Sequence, residues 1–317
     1  MEITAQLVKQ LRDKTGAGMM DCKKALIEAN GDIASAEEYL RKKGLMDAKK
    51  KSTRTAADGL VAVAVSDDRQ TASIVELNSE TDFVARNEKF QELASELAKI
   101  ALRNENVLGE KFPSGKTAKE EIEHLVSLVG ENITFRRAKK VHVDMGLIAT
   151  YVHSAVQPNM GKIGVLVALE PEGTCCECCS DPEKRKHALE AVTELGKKLA
   201  MHIAAANPTY FCSKCVPQEA LEKEKEIALA QAKEVGRPAD VAAKIAEGRA
   251  KKYIEETAFM EQIFVMDGKT KVKDVIEKFN KDNGVHIKVS SYTKFVLGEG
   301  IEKTATNFAE EVASFMK

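Results

Sequence analysis

Six of the seven cysteines lie in two short clusters whose spacing could support metal or thiol chemistry. The first cluster, Cys175-Cys176-Glu177-Cys178-Cys179, contains two overlapping Cys-x-x-Cys pairs, and Cys212-Ser213-Lys214-Cys215 is a third. Two such pairs are typical of a structural zinc site, and a Cys-x-x-Cys pair also suits thiol redox chemistry. The candidate zinc ligands are Cys175, Cys178, Cys212 and Cys215.

The helix predicted between the two clusters argues against a shared zinc site. Residues from Pro182 to Ala206 follow one helical pattern, and the ends of such a helix lie about 37 Å apart at 1.5 Å per residue. The cysteine pairs flank opposite ends and meet only if the helix breaks, for example at Gly196. We therefore predict no metal and no cofactor, with the zinc site as the alternative.

Residues 78–87 hold a second arrangement of interest, because they place a carboxylate beside an aromatic ring at a predicted strand-to-helix junction. Thr81 is a suitable helix N-cap, and Asp82 follows it where a helix favours negative charge. Phe83 then lies in the first turn, before a predicted helix over residues 88–102. Its ring could be a staple packed on the sister helix or a wedge that acts on a partner, completed by Thr81 and Val84.

Length, charge and composition exclude several classes of protein. The chain has 317 residues, a formal net charge of −1 and no Trp, and it is long enough for two or three units. This charge gives no electrostatic footprint for nucleic acid or membrane lipid, and no apolar run reaches the roughly 18 residues of a membrane span. The N-terminus lacks a signal-peptide pattern, so we expect a cytoplasmic protein with thiols or metal ligands rather than disulfides.

Common nucleotide-binding and hydrolytic motifs are absent from the sequence. There is no Gly-x-x-x-x-Gly-Lys-Ser/Thr loop, no Gly-x-Gly-x-x-Gly after a strand and no His-Glu-x-x-His; these patterns cradle phosphates or bind zinc. Cys22 lies on an amphipathic helix, where a buried structural thiol is expected rather than a nucleophile. We therefore predict that the chain does not itself bind a nucleotide.

Residues 1–55 are predicted to form a three-helix module that binds other proteins. Glycines separate the helices, and Gly44 is expected to end the third. The basic run over residues 49–54 is then expected to be a solvated hinge rather than a nucleic-acid contact. Met19 and Met20 begin the second helix, and methionine suits both cores and adaptable binding faces. We expect one of them to be buried and one to face a partner.

An internal repeat organises the centre of the chain. Gly59-Leu60 and Gly146-Leu147 begin matching strands 87 positions apart, which predicts a duplicated ββα unit with antiparallel sheets. The first repeat covers residues 56–140, and the second covers residues 141–216 and 260–298. The second repeat lacks a Thr-Asp-Phe equivalent, so the shared fold does not require Phe83, and this favours the wedge over the staple.

Residues 217–259 are predicted to be a protruding antiparallel helical hairpin. Gly236 and Pro238 supply the turn chemistry. We expect the first helix to pack on Val241, Ile245 and Gly248 of the second. Strands at Phe264-Val265 and residues 285–297 are expected to close a sheet, and a C-terminal module over residues 299–317 ends in a helix at residues 308–316. The predicted fold class is α+β.

His202 is the remaining candidate for a site, near the end of the helix in the second repeat. A lone histidine there can interact with the helix C-terminus, form a hydrogen bond in the core, or contact a partner. The residues alone leave these alternatives open.

Several motifs resemble bacterial translation elongation factor Ts. They are residues 15–26 (Thr-Gly-Ala-Gly-Met-Met-Asp-Cys-Lys-Lys-Ala-Leu), residues 76–87 (Glu-Leu-Asn-Ser-Glu-Thr-Asp-Phe-Val-Ala-Arg-Asn), residues 201–205 and residues 298–303. The likeness runs the full length, although the cysteine-rich part of residues 174–216 departs from the family pattern. It implies a UBA-like N-terminal module, a coiled coil at residues 217–259 and no bond chemistry.

The resemblance also implies a function and roles for the candidate residues. Members of the family are guanine-nucleotide exchange factors for elongation factor Tu, in its GDP-bound or nucleotide-free state. The implied wedge is Asp82 and Phe83, which enter the GTPase domain of the partner near its Mg²⁺, with Thr81 and Val84 completing the stretch that dislocates the ion. Met19 and Met20 would belong to the N-terminal grip and His202 to a second contact, and a homodimer in the assembled complex is left open.

Two other hypotheses compete with exchange. The three-helix module and the hairpin could belong to a zinc-stabilised adaptor that tethers partners without exchange activity. The Cys-x-x-Cys pairs could instead belong to a thiol redox enzyme.

Overall fold

The fold combines helices with antiparallel sheets, so the α+β class predicted from the sequence is confirmed. The computed structural model describes residues 3–172 and 182–302. The helices, in chain order, are α1 (Ala5–Thr15), α2 (Met19–Glu28), α3 (Ile33–Lys51), α4 (Asp82–Ala85), α5 (Glu88–Arg103), α6 (Ala118–Val129), α7 (Pro182–Ala206), α8 (Gln218–Glu234), α9 (Ala239–Thr257) and α10 (Val272–Asn283). The strands are β1 (Asp58–Val65), β2 (Thr71–Ser79), β3 (Ile133–His142), β4 (Leu147–His153), β5 (Met160–Gly161), β6 (Ile163–Pro171) and β7 (Ile287–Val296).

The first three helices enclose a small core of their own. The side chain of Thr4 accepts a hydrogen bond from the Leu7 N–H at the start of α1, and Asp32 does the same for Ser35 at the start of α3. The buried core residues are Val8, Leu11, Cys22, Ala25, Leu26 and Ala36. Cys22 is a buried free thiol, as predicted, and burial raises its pKa. The Cys22 thiol therefore packs in the core in its protonated form, as a structural cysteine does.

Helix α3 is longer than the sequence predicts. It continues through Gly44 to Lys51, so the predicted stop at Gly44 is wrong. A Cβ at Gly44 would lie 3.0 Å from the Ser127 Cβ, which means that this glycine lets α3 approach α6 closely. Lys49, Lys50 and Lys51 fill the last turn, where the helix dipole favours cations. The predicted hinge over residues 49–54 is therefore helical in its first half.

Two antiparallel sheets face each other and are each covered by a helix. Their strand orders are β3-β2-β1-β5 and β4-β6-β7. In β1, Leu60 packs toward α5 while Val61 faces the other sheet, and in β6, Val165 packs toward α7 while Leu166 faces the first sheet. This alternation is the period-two pattern of a strand buried on both faces. The result is a helix–sheet–sheet–helix stack.

The same glycine occupies the same place in both halves of this stack. Gly59 in β1 has φ of 125°, and Gly146, just before β4, has φ of 114°. A Cβ would lie 2.2 Å from the Leu77 carbonyl oxygen in the first half and 2.0 Å from that of Leu169 in the second. Only glycine fits such a position. The match supports the internal repeat at the level of backbone geometry.

A buried carboxylate ties the two halves together beside the strand that leads to Phe83. Glu76 in β2 is fully buried and accepts hydrogen bonds from Arg136 (2.9 Å), Arg137 (2.6 Å) and the Gly298 N–H (2.8 Å). Burial alone would raise the pKa of Glu76, but the Gly298 amide and the two guanidinium groups outweigh it and lower that pKa. The segment after β7 is thereby fixed to the first sheet.

Helices α8 and α9 form an antiparallel pair held by alanines. The residues buried between them are Ala228, Ala232, Ala242, Ala246 and Ala250. The prediction that Val241 and Ile245 line this contact is wrong, because both are exposed, at 37% and 43%. The buried stripe of α9 consists of Ala242, Ala246 and Ala250 and begins one residue further along than predicted. Alanines allow closer helix packing than branched side chains.

Two further expectations concern the end of the chain. Phe264-Val265 is a turn and not a strand, because the 3-10 helix Phe259–Glu261 precedes it and residues 265–267 turn back toward α10. The predicted helix at residues 308–316 lies outside the described residues. Within residues 3–172 and 182–302, no helix has both the length and the hydropathy needed to cross a bilayer.

Candidate functional site

The ring of Phe83 projects into solvent. It lies in α4, a single turn between β2 and α5, and 78% of its surface is exposed. The two residues that follow it, Val84 and Ala85, are buried in the core of the first half. Leaving a Phe side chain exposed forgoes roughly 1.5–3 kcal/mol of burial. The staple alternative does not fit this geometry, because the ring packs on no sister helix.

The backbone before Phe83 is held by hydrogen bonds from a distant turn. The Thr81 N–H and hydroxyl both donate to the carboxylate of Glu131, at 3.0 and 2.8 Å. The hydroxyl of buried Ser79 donates to the Thr81 carbonyl. The expected N-cap contact of Thr81 is not made, because its hydroxyl is turned to Glu131. Asn87 caps α5 instead, by accepting from the Lys89 N–H.

The carboxylate of Asp82 stands at the surface next to the exposed ring. Its side chain is 51% exposed, and one of its oxygens lies 3.3 Å from the Arg86 guanidinium one turn along the chain. An exposed ion pair of this kind contributes little to stability, and its groups exchange easily to contacts with water. The pair of residues 82 and 83 therefore presents a negative charge and an apolar ring together.

Both methionines of the first module are exposed. Met19 is 56% and Met20 is 67% exposed, so the prediction that one of them is buried is wrong. The inward stripe of α2 consists of Cys22, Ala25 and Leu26, and it starts one turn later than the methionines. Ile27 is also exposed, at 54%. The module thus carries an apolar surface on α2.

His202 lies in the core of the second half. Its Nδ1 accepts the Val265 N–H at 3.2 Å, so Nε2 carries the proton and donates to the Gln262 side chain at 3.0 Å. The ring is fully buried between Phe259 and Phe264, and this burial lowers its pKa. Of the three alternatives, the core hydrogen bond fits this geometry, whereas direct contact of the ring with a partner does not.

The loop that His202 holds does reach the surface. Ile263, Val265 and Met266 are each about half exposed, at 46%, 50% and 45%. Sequence reasoning assigned Phe264-Val265 to a strand and so missed this loop. The turn signal Asp267-Gly268 directly after Met266 could have indicated it.

The cysteine pair at the base of the helical hairpin is a disulfide. Cys212 and Cys215 are bonded, with their Cα atoms 5.2 Å apart, so the expectation of thiols is wrong for this pair. Such a distance lies within the range that a disulfide spans. Helix α7 is unbroken at Gly196, where a Cβ would collide with Ala149 and Leu169 of the sheet below. Cys175 and Cys178, the other zinc candidates, lie outside the described residues.

The described part of the chain carries exposed apolar residues on several surfaces. Within it, no group of three or more His, Cys, Asp or Glu side chains is arranged to hold a metal ion. A polar cleft of about 240 Å³ lies between the first module and α6, beside the close contact at Gly44. Several of its charged side chains are already paired, such as Lys14 with Glu37 and Arg41 with Glu120. The arrangement favours action through contact with another protein.

Comparison with known proteins gives a consistent result. A sequence profile of the family described as "Elongation factor TS" matches residues 80–299. The chain is 47% identical over 318 residues to elongation factor Ts of Rhodospirillum centenum, covering 99% of this chain and 98% of that protein. It is 45% identical over 322 residues to elongation factor Ts of Rhodospirillum rubrum, covering 100% of this chain and 99% of that protein.

Proposed function

This chain belongs to the elongation factor Ts family, and we propose that it is the guanine-nucleotide exchange factor that acts on elongation factor Tu during translation elongation. The two relatives are both elongation factor Ts, and each aligns with this chain over almost its whole length. The alternative of a zinc-stabilised adaptor without exchange activity has no support from them. In this role the chain makes and breaks no covalent bond.

The observation that carries the proposed mechanism is the exposed ring of Phe83 on a backbone that its neighbours hold in place. GDP is held on a GTPase largely through its phosphates and the Mg²⁺ that bridges them. We assign residues 81–84, the wedge segment, to the partner's magnesium site. Asp82 brings a competing negative charge, and Phe83 occupies apolar space that the closed nucleotide pocket needs.

Exchange then follows from thermodynamic coupling between two ligands of one protein. A factor that prefers the metal-free pocket lowers the affinity for GDP, and GDP lowers the affinity for the factor by the same ratio. A coupling free energy of about 3 kcal/mol gives roughly a 150-fold change. The factor is released when a nucleotide and Mg²⁺ return.

Two further surfaces support the wedge segment in this proposal. Met19 and Met20 are exposed on α2, and we assign the UBA-like module, residues 1–55, to the grip on the partner's GTPase domain. His202 serves the second contact through Val265 and Met266, the exposed residues of the loop that its ring holds. Residues 217–259 act as a projecting coiled coil.

The proposed partner is elongation factor Tu in its GDP-bound or nucleotide-free state, met in the cytoplasm. The assembled complex holds either one or two copies of the chain. Light scattering of the complex distinguishes the two assemblies directly.

The release of labelled GDP from elongation factor Tu tests the proposed function. We expect the wild-type chain at micromolar concentration to accelerate release strongly when Mg²⁺ and unlabelled GDP are present in excess. A chain that binds elongation factor Tu without accelerating release would restore the adaptor hypothesis. A chain that neither binds nor accelerates would overturn the proposed function altogether.

A further inference from the structure

The wedge segment is joined to the turn between α6 and β3 by a two-point carboxylate contact. Glu131 accepts the Thr81 N–H with one oxygen and the Thr81 hydroxyl with the other, at 3.0 and 2.8 Å. Fifty positions separate the two residues in the chain. Hydrogen bonds to an ionised acceptor are stronger than neutral ones, so this contact fixes both the backbone and the side chain of Thr81.

The neighbouring residue extends the contact to the linker of the first module. Asn132 is 4% exposed. Its backbone N–H donates to Glu80 at 2.6 Å, and its side-chain amide donates to the Arg54 carbonyl at 2.7 Å. We call Glu131 and Asn132 the clamp. The clamp therefore holds the two residues that precede Asp82 and also the chain that arrives from α3.

The fold explains the other side of the wedge segment without the clamp. Val84 and Ala85 are anchored in the core, and the Gln91 side chain donates to the Ala85 carbonyl at 3.1 Å. Helix α5 has its own cap in Asn87. The contact of Glu131 with Thr81 is thus not required to start α5 or to fill the core.

Helix α4 itself is too short to set its own direction. It has four residues, and a single turn gains little from helix formation because nucleation is unfavourable. The direction of Asp82 and Phe83 then depends on what holds the residues on either side. On the N-terminal side Glu131 acts together with the Ser79 hydroxyl and the Asn132 N–H. A segment ordered before contact loses less entropy when it binds.

We propose that Glu131 is a positioning residue for nucleotide exchange, which fixes the direction of the wedge segment through its two hydrogen bonds to Thr81. The inference rests on the proposed function. Glu131 itself need not touch the partner. Its loss leaves the wedge segment present but free to move, so the complex still forms through the other surfaces while GDP release within it slows.

The test compares Glu131→Ala and Glu131→Gln with wild type and with Phe83→Ala in the GDP-release assay. We measure the maximal release rate at saturating factor, the concentration that gives half of that rate, and thermal unfolding. Loss of two charge-assisted hydrogen bonds should lower the maximal rate about tenfold in Glu131→Ala. The half-saturating concentration should change less than about threefold on the same reasoning. Glu131→Gln retains one acceptor oxygen, so its maximal rate should lie between those of the wild type and Glu131→Ala.

Glu121→Gln is the matched control. Glu121 lies on α6 and accepts a hydrogen bond from the Ser114 hydroxyl at 2.5 Å, so its side chain is engaged with the loop before α6 and not with Thr81. It should keep the wild-type rate and the wild-type half-saturating concentration. If the control slowed release as much as Glu131→Gln does, the effect would belong to α6 in general, and the positioning role would be overturned.

A double-mutant cycle with Thr81→Val separates positioning from general stability. Valine removes the hydroxyl and keeps the N–H, so the effects of Thr81→Val and Glu131→Gln on the maximal rate should be non-additive. Additive effects, or an unchanged maximal rate in a folded Glu131→Ala, would overturn the inference while Phe83→Ala still upholds the proposed function. A wild type that does not accelerate release would overturn both. If Glu131→Ala does not fold, Glu131→Gln carries the same comparison.

Discussion

At the scale of the residue, Phe83 combines exposure with a fixed backbone. The residues before it are held by Glu131 and those after it lie in the core. A lone exposed apolar side chain is ordinary on a protein surface, but one whose backbone is held from both sides is prepared for contact. The sequence indicated this residue through the strand-to-helix junction. It did not indicate Glu131, because hydrogen bonds across fifty positions leave no local pattern.

His202 should make stability depend on pH. Burial holds its folded pKa below the ordinary value, which is about 6.5. The neutral ring is therefore favoured in the folded state, and its contribution to the free energy of unfolding is complete above about pH 6.5 and is lost as pH falls toward the folded pKa. Urea unfolding between pH 5 and 8 should show stability falling on the acid side.

His202→Gln provides the comparison for that measurement. It should weaken the dependence on pH, although a slope will remain because burial also lowers the pKa of His124. Hydrogen-bonding capacity toward Val265 and Gln262 is partly kept, so the variant should still fold. A variant whose slope equals that of the wild type would show that His202 is not the titrating group.

Met19 and Met20 should matter for binding and not for folding. The double change to Ala removes exposed apolar surface, so the melting temperature should stay within about 2 °C, while the Kd for elongation factor Tu should rise about tenfold or more if these are central contacts. Isothermal titration gives the Kd. Met145→Ala is the matched control, since Met145 is 63% exposed in the turn before β4. Equal effects of both variants would contradict the assignment.

At the scale of the element, several glycines have a role that the sequence alone does not distinguish. Gly44 and Gly196 both look like helix ends or breaks, yet both lie inside continuous helices where another element comes close. In the sequence, glycine indicates both the end of a helix and a close contact between two elements. The longer strands β1, β2, β4, β6 and β7, by contrast, were predictable because their residues form apolar runs between turns, whereas the strand expected at Phe264-Val265 is a turn. Tertiary contact decides the helical cases.

The two equivalent glycines of the repeat should be equally intolerant of change. Gly59→Ala and Gly146→Ala each add a Cβ that collides with a carbonyl oxygen of the paired strand, and each should lower the free energy of unfolding by at least about 2 kcal/mol. Gly115→Ala is the control, because it shares a positive φ but has nothing within 4 Å of the added atom. The free energy of unfolding of Gly115→Ala should fall by roughly 1–2 kcal/mol, because only backbone strain is added.

Urea denaturation of the three variants under one condition measures these differences. If Gly59→Ala were as stable as Gly115→Ala, the close approach to the Leu77 carbonyl would not be what requires glycine there. If Gly59→Ala and Gly146→Ala differed widely, the two halves would not share the backbone geometry described for them.

At the scale of the whole molecule, exposed apolar residues lie on separate parts of the fold, on α2, on α4 and on the loop before α10. The α+β class was predictable from the sequence, since the order of strands and helices repeats. The pairing of α8 with α9 was predictable too, but the buried stripe of α9 was not, because alanines and branched residues both fit a helical stripe and only the partner helix selects between them. The bond between Cys212 and Cys215 was not predictable, because spacing alone does not distinguish bonded cysteines from free thiols.

Helices α8 and α9 should be removable without unfolding the rest. Their buried residues are alanines that pack on each other. The segments before α8 and at the end of α9 are joined by a hydrogen bond from the Tyr210 N–H to the Thr257 carbonyl, at 3.0 Å. Replacing residues 222–250 by a short Gly-Ser linker should leave one cooperative thermal transition, measured by circular dichroism. Loss of cooperativity would show that these helices are part of the core.

In the proposed mechanism, the wedge segment releases GDP from elongation factor Tu. The most direct measurement is the maximal rate of labelled GDP release with wild type, Asp82→Ala, Phe83→Ala and the control Met145→Ala. Phe83 and Asp82 are exposed, so their loss should leave thermal unfolding unchanged and lower the rate at least about tenfold, or 1.4 kcal/mol. Full exchange activity in a folded Phe83→Ala would contradict the account.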